Sequence, residues 1–364
     1  MRIAFLGSSL LSSYWNGAAT YYRGIIAALA LRGWHTTFYE PDAFDRQQHR
    51  DMDPPPWADV VVYPPTLNAV QKVCAEAARA EVVVKASGIG VLDDDILRIL
   101  MAQTPPDKIR IFWDVDAPAT LASIAADPHH PLRAAVPELD LVLTYGGGPP
   151  VVAGYKALGA RRCEPIYNAL DPLTHFRTAP DRRFGADLAF LGNRLPDREA
   201  RVEQFFLAAA RMLPHARFLL GGAGWESRQL PANVCNAGHV STRDHNAFNS
   251  TPLAVINIAR DSMAEIGHSP ATRIFEAAGA AACIITDDWD GIDRFLEPGE
   301  EILVARDGAD VARQLSALTP EHARQIGRRA LARISRDHTY ERRAETVVRL
   351  LDGLLAARNQ RAVA

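Results

Sequence analysis

Arg273 and Glu276 stand three residues apart in the stretch "SPATRIFEAAGAAACIITDDWDG", which runs from Ser269 to Gly291. A guanidinium is a planar, two-pronged donor for phosphate oxygens, and a carboxylate can accept hydrogen bonds from two vicinal hydroxyls. Ser269 is a good N-cap and Pro270 suits a first helical position, so the spacing predicts a helix from there to about Ala280. On that helix Ser269, Thr272, Arg273 and Glu276 fall on or near one polar face, and Ile274, Ala277, Ala278 and Ala281 can pack inward. Unpaired N–H groups at a helix start attract a diphosphate. The pattern therefore matches the two ends of a nucleoside diphosphate. The plain alternative is a surface ion pair worth a few tenths of a kcal/mol.

The elements that would position this pair are those of an open α/β sheet. Short apolar runs such as "RIAFL", "HTTFYE", "DVVVY", "EVVVKAS", "IRIFWDVD" and "LDLVLTY" alternate with helix-like stretches, among them Gly17 to Arg32 and Asp93 to Gln103. Continuous hydrophobicity suits strands buried on both faces, and the alternation implies parallel βαβ units. A polar, proline-bearing stretch, "LDPLTHFRTAPDRRFGAD", interrupts the rhythm. The rhythm then resumes with "DLAFLG", "RFLLGG", "LAVINIAR", "CIITDD" and "EILVAR". The division expected is an α/β domain over residues 1–170, a hinge over 171–186, a second α/β domain over 187–338 and a final helix over 339–364. That helix, with its apolar stripe from Val347 to Leu355, either caps the second domain or returns to the first.

The chain has 364 residues, enough for two domains that each bury a core. With 48% hydrophobic and 23% charged residues it reads as globular, and a net charge of -3 gives no basic field for nucleic acid. Cys74, Cys163, Cys235 and Cys283 lack paired spacing, which argues against a zinc knuckle or a disulfide framework. No apolar run approaches the roughly 20 residues of a membrane span, and Met1 leads straight into a strand, so a cytoplasmic protein is expected.

Other candidates follow strands. In "FLGNRLPDR", Gly192, Asn193 and Arg194 come directly after a buried strand, where the crevice of an open sheet lies. Arg198 reads as a solvated charge at the next helix start. "LLGGAGW" brings Gly221, Gly222 and Gly224, which let a ligand approach the backbone or simply make turns, and "AGHVS" brings His239 and Val240. In the first half the loop after "FLG" lacks G-x-G-x-x-G, which disfavours a nicotinamide cofactor. Ser8, Asn16 and Gly17 could line an acceptor side there, or serve as loop and cap residues. "FWDVDAP" holds Asp114 and Asp116; a metal-binding D-x-D is disfavoured, while Asp116 is a candidate base for a hydroxyl or else a helix N-cap. The acidic run Asp93 to Asp95 reads as a helix start.

The segments "SPATRIFEAAGAAACIITDDWDGIDRFLEPGEEILV" and "RRALARISRDHTYERRAETVV", with "DLAFLGNRLPDREARVEQF" and "INIARDSMAEIGHSPATR" upstream, resemble the CgeB-like glycosyltransferases. The resemblance implies the GT-B fold, two Rossmann-like domains facing each other across a cleft. It places a nucleotide-sugar donor in the second domain and a glycan or other hydroxyl-bearing acceptor in the first, with no metal and no cofactor besides the donor. By that likeness Glu276 would hold the ribose, Arg273 and Arg194 the diphosphate, and His239 and Val240 the base. Many retaining relatives carry a glutamate where this chain has His268, which can still bond a sugar hydroxyl or phosphate oxygen. The reading is a glycosyltransferase, with Asp116, His268 and Arg273 as catalytic candidates. Its rivals are a nucleotide-sugar epimerase of the same architecture and a non-catalytic sugar-nucleotide or glycan binder.

Overall fold

A computed structural model describes residues 1–14 and 16–363. Trp15 and Ala364 lie outside the described residues, as do the side chains of residues 361–363. Two compact units divide the chain. The first comprises Met1–Tyr167 and Tyr340–Ala364, and the second Asn168–Thr339.

In the first unit, strands β1 (Arg2–Leu6), β2 (His35–Pro41), β3 (Ala58–Tyr63), β4 (Val82–Ala86), β5 (Ile109–Asp114), β6 (Leu141–Thr144) and β7 (Cys163–Pro165) form one parallel sheet. Their order is β3-β2-β1-β4-β5-β6-β7. Every residue of β4 is buried, as expected for a strand covered by helices on both faces. The short β7 had no clear signal in "RRCEPIY", because a strand of 3 residues carries no readable period.

The second unit repeats the plan with β8 (Leu188–Leu191), β9 (Phe218–Gly221), β10 (Val234–Gly238), β11 (Ala254–Asn257), β12 (Ile284–Asp287) and β13 (Leu303–Ala305), in the order β10-β9-β8-β11-β12-β13. Phe190, Phe206 and Phe218 lock its core through tilted and edge-to-face contacts, with centroids 6.1 and 5.3 Å apart. Burying each such side chain contributes about 1.5–3 kcal/mol. In both sheets the first strand lies inside, so the order reverses between β1 and β4 and between β8 and β11. Ligands of open α/β sheets bind at that reversal, at the carboxyl ends of the strands.

One boundary differs from the sequence expectation, and the place of the final helix, open in the sequence, is settled by its contacts. The stretch expected as a hinge is bonded into the second unit: Phe176, Thr178 and Asp181 donate their backbone N–H groups to side chains of Asn246, Ser250 and Thr251. Proline and polar residues marked an irregular path there, and the backbone found side-chain partners along it. The final helix, Tyr340–Val363, belongs to the first unit, where Tyr340 packs on Gly24 of the helix Ala19–Ala30. A Cβ on Gly24 would lie 2.2 Å from the Tyr340 ring. Among the described residues no helix is long and apolar enough to cross a membrane. The four cysteines are free thiols, and all but Cys235 are buried.

Candidate nucleotide site

The helix carrying Arg273 and Glu276 spans Thr272–Gly279, so it begins later than the Ser-Pro signal predicts. Ala271 occupies the N-cap with extended backbone and no side-chain cap bond. Ser269 is buried, and its hydroxyl has no hydrogen-bond partner. Pro270 is held just outside the helix, its carbonyl accepting from Asn168 at 3.4 Å. The first turn itself, Thr272 and Arg273, is half-buried.

His268 precedes this turn in a left-handed conformation, φ 47°. Its N–H donates to the Asp290 carbonyl at 2.6 Å, and its ring lies against Gly291, where a Cβ would come within 2.0 Å of Nδ1. Left-handed backbone costs a non-glycine residue about 1–2 kcal/mol and persists only where the surroundings impose it. Here the N–H bond to Asp290 holds the backbone, and the absent side chain of Gly291 leaves room for the ring.

The arginines around β8 and β11 form the centre of the site. Arg198, in the first turn of the helix that starts at Pro196, is 5% exposed rather than solvated. Its Nη2 donates to the Asn193 carbonyl at 2.5 Å, and its guanidinium lies against Gly192, where a Cβ would be 3.1 Å from Nη2. Arg273 reaches across to donate to the Ile258 carbonyl, just past β11, at 3.0 Å. Both guanidinium carbons lie over the buried Phe190 ring, Arg198 at 5.7 Å and Arg273 at 5.8 Å from its centroid. The pKa of Arg198 is pushed down to about 9, by burial first and then by the charge of Arg273, with Asp197 opposing and Arg260 adding to the push. A guanidinium keeps its proton at neutral pH. The downward push therefore means that its charge is held at a cost which a bound anion would relieve.

Arg194 is placed differently from its expected role. Its Nε and Nη2 donate to the two Glu199 carboxylate oxygens, both at 2.8 Å, and Nη1 reaches Ser227. It braces the loop, as does Asn193, whose side-chain oxygen accepts from Ala223 N–H at 3.0 Å. Gly222 has φ 124°, and a Cβ there would lie 2.3 Å from the Gly192 carbonyl, so the two strand-end loops meet backbone to backbone. His239 is exposed, and Val240 is buried close to Gly221 and Phe248.

Glu276 lies one turn along its helix with its side chain 14% exposed. Its Oε1 is 3.6 Å from Nε2 of His175, and among the described residues no donor comes within hydrogen-bond distance of its carboxylate. Together with Asn249, Asn257 and Arg273 it lines one small cavity beneath the helix. A broader concavity of 630 Å³, lined by Phe176, Arg182, Arg243 and Asn246 among others, shares no residue with the arginine cluster.

In the first unit Asp116 stands at the carboxyl end of β5, at the N-cap of the helix Ala117–Ala126, without a side-chain cap bond. Asp114 is fully buried and accepts from Ser87 Oγ, Thr120 Oγ1, Asp116 N–H and Tyr155 OH. It anchors strand ends to helices. Ser8 and Asn16 bond each other within the loop after β1, and Gly17 is exposed, with open space where a Cβ would stand.

Residues 198–349 match the glycosyl transferase-like family. The match covers most of the second unit, including Arg198, Arg260, Arg273 and Glu276. Glycosyl transfer, the activity read from the sequence, is the one it supports over epimerisation or non-catalytic binding. Among solved structures, the HepE protein of Anabaena in complex with UDP and glucose is similar over 97% of this chain and 100% of its own, with 15% identity and a TM-score of 0.66. Sucrose-phosphate synthase from Thermosynechococcus elongatus is similar over 98% of this chain and 100% of its own, at 14% identity and a TM-score of 0.71. The T4 phage β-glucosyltransferase bound to UDP-glucose covers 99% of this chain, which covers 97% of it, at 11% identity and a TM-score of 0.57. These likenesses are of fold, and the fold is GT-B. No curated protein matches the chain.

Sequence reading missed Arg198 and Arg260. The available signal was positional: Arg198, Arg260 and Arg273 each lie close after a strand or at the start of a helix flanking the β8/β11 reversal.

Proposed function

We propose that the second unit binds a nucleoside-diphosphate sugar at the β8/β11 reversal and that the protein transfers the sugar to an acceptor hydroxyl without a metal. The observation that carries this is Arg198, a buried guanidinium held among like charges where open α/β sheets bind phosphates. The resemblance to CgeB-like enzymes supports the same placement of the donor.

In the reaction the bond between the anomeric carbon and the diphosphate oxygen breaks, and its electron pair leaves with the nucleoside diphosphate. Arg198, Arg273 and the N–H groups opening the helix at Thr272 stabilise that charge before it forms, since the arginines are already in place. The acceptor oxygen bonds to the anomeric carbon, and its proton passes to a base. Asp116, at the carboxyl end of β5, is our candidate for that base. Glu276 accepts from the ribose hydroxyls, and His268, fixed by Asp290 and Gly291, faces the sugar or the phosphate nearest it.

A panel of nucleotide sugars, beginning with UDP-glucose, followed for nucleoside-diphosphate release with and without candidate acceptors, tests this reading. Acceptor-dependent release supports it. Sugar isomerisation without release, or binding without product, contradicts it.

A further inference from the structure

His175, His245 and Glu276 converge at a point that the nucleotide reading uses only in part. Their metal-capable atoms all lie within 4.8 Å of one another. His175 comes from the segment entering the second unit, His245 from the first turn of the helix His245–Ser250, and Glu276 from the helix Thr272–Gly279. Three separate chain segments thus bring two imidazoles and a carboxylate together.

The hydrogen bonding leaves this group incomplete. Thr174 Oγ1 lies 3.3 Å from the Asp171 carbonyl and 2.9 Å from His175 Nδ1. A hydroxyl has one proton; with that proton on the Asp171 carbonyl, Thr174 accepts from Nδ1–H. In that tautomer Nε2 is unprotonated, and it lies 3.6 Å from Oε1 of Glu276. On the other side, Nδ1 of His245 is buried without any hydrogen-bond partner. His175 is 7% exposed. Buried polar atoms are satisfied as a rule, and a cation held among these three groups would supply the partner that the Glu276 carboxylate lacks.

We infer that His175, His245 and Glu276 form a binding site for a divalent transition ion of the zinc type. Two imidazoles with one carboxylate are a donor set that such ions take, with the fourth position left to water. A tetrahedral zinc with bonds of about 2.1 Å places neighbouring donors about 3.4 Å apart, so side-chain shifts of about an ångström complete the site. With Nδ1–H on the Thr174 hydroxyl, the His175 ring presents Nε2 to the ion, the arrangement that partners of metal-bound histidines supply. The ion takes no part in the transfer. If Glu276 also holds the ribose, a consequence that rests on the function proposed above, metal and nucleotide compete for one carboxylate, and metal occupancy switches the donor site off.

The test is titration of the purified, metal-free full chain with Co2+, read by visible absorption, and with Zn2+, read by calorimetry. One equivalent should bind, with the intense visible bands of a four- or five-coordinate cobalt site. His175→Ala, His245→Ala and Glu276→Gln should each weaken binding by more than about tenfold, while the exposed His322→Ala leaves it unchanged. Should the alanine variants lose their fold, nitrogen NMR of the imidazoles in the unaltered protein decides: zinc must shift the ring signals of His175 and His245 and no other pair. Absence of stoichiometric binding, or binding that these changes and signals do not register, overturns the site. The two readings of Glu276 separate cleanly. A Glu276→Gln protein that binds cobalt normally overturns the metal site, whereas one that binds UDP normally in metal-free buffer removes Glu276 from the nucleotide site instead.

Discussion

At the carboxyl end of the first sheet, Glu40 is fully buried and receives hydrogen bonds from Ser9, from the backbone N–H groups of Leu10 and Leu11, and from Gln47. Asp114 nearby is equally buried and equally bonded, and Lys85 pairs with Asp93. The same end of the second sheet is arranged otherwise. Arg198 is 5% exposed, its Nε is unpartnered, and the charge that acts on it most is the cation Arg273; among the described residues the Glu276 carboxylate has no hydrogen bond, and the hydroxyl of Ser269 has none. Buried polar groups are satisfied as a rule. Two sheets of one plan thus differ at these residues: Glu40 and Asp114 hold the first sheet's own loops, whereas Arg198, Ser269 and Glu276 leave polar atoms open beside the β8/β11 reversal.

The largest effect that would break this contrast lies in the arginines. Arg273→Ala and Arg198→Met should each lower turnover about 100- to 1000-fold, the loss of roughly 3–4 kcal/mol of transition-state stabilisation that one preorganised donor can supply. Arg198→Met should leave the melting temperature of the ligand-free protein unchanged or raised, because a charge held at a cost is replaced by an apolar chain of similar length. A strongly destabilised Arg198→Met protein would show that this arginine is a structural member like those of the first sheet. Next comes Glu276→Gln, expected to weaken UDP binding about 10- to 100-fold in calorimetry through loss of charge-assisted hydrogen bonds.

Arg194→Ala sharpens the contrast from within one loop. Its guanidinium is already occupied by Glu199, so turnover should change little in the same assay. A defect as large as that of Arg273→Ala would move Arg194 into the site.

The smallest effect concerns Asp114. Burial, against the pull of its bonds to Tyr155, Ser87, Asp116 and Thr120, raises its pKa. A carboxyl whose folded pKa exceeds its unfolded one contributes stability below the unfolded value and loses that contribution as pH rises through the folded value. Asp114→Asn removes this term, which offsets the loss of stability on acidification, and should therefore steepen the acid limb of the stability profile measured by urea unfolding at stepped pH. An unchanged profile would show that Asp114 titrates like a solvated carboxyl.

Much of the frame was readable because buried parallel strands are written as uninterrupted apolar runs: "EVVVKAS" and "LAVINIAR" each contain a strand within three residues of the expected ends. The helix start at Thr272 was not readable, since Ser-Pro is a good opening signal that local tertiary contacts overrode by burying Ser269 and Pro270. Arg273 and Glu276 stood out because their spacing is local. Arg198 looked like any charge in a first helical turn; only the folded sheet, which sets it over Phe190 beside Arg273, distinguishes it from Arg194. The histidines that meet Glu276 lie 101 and 31 positions before it, a separation that no periodicity can connect.

The most direct test is a crystal structure with UDP bound. The diphosphate should lie between the Arg198 and Arg273 guanidinium groups, with nitrogen to oxygen distances of about 2.7–2.9 Å and the helix at Thr272 pointing its N–H groups toward it. A diphosphate bound at the carboxyl ends of the first sheet, with Arg198 untouched, would contradict the account.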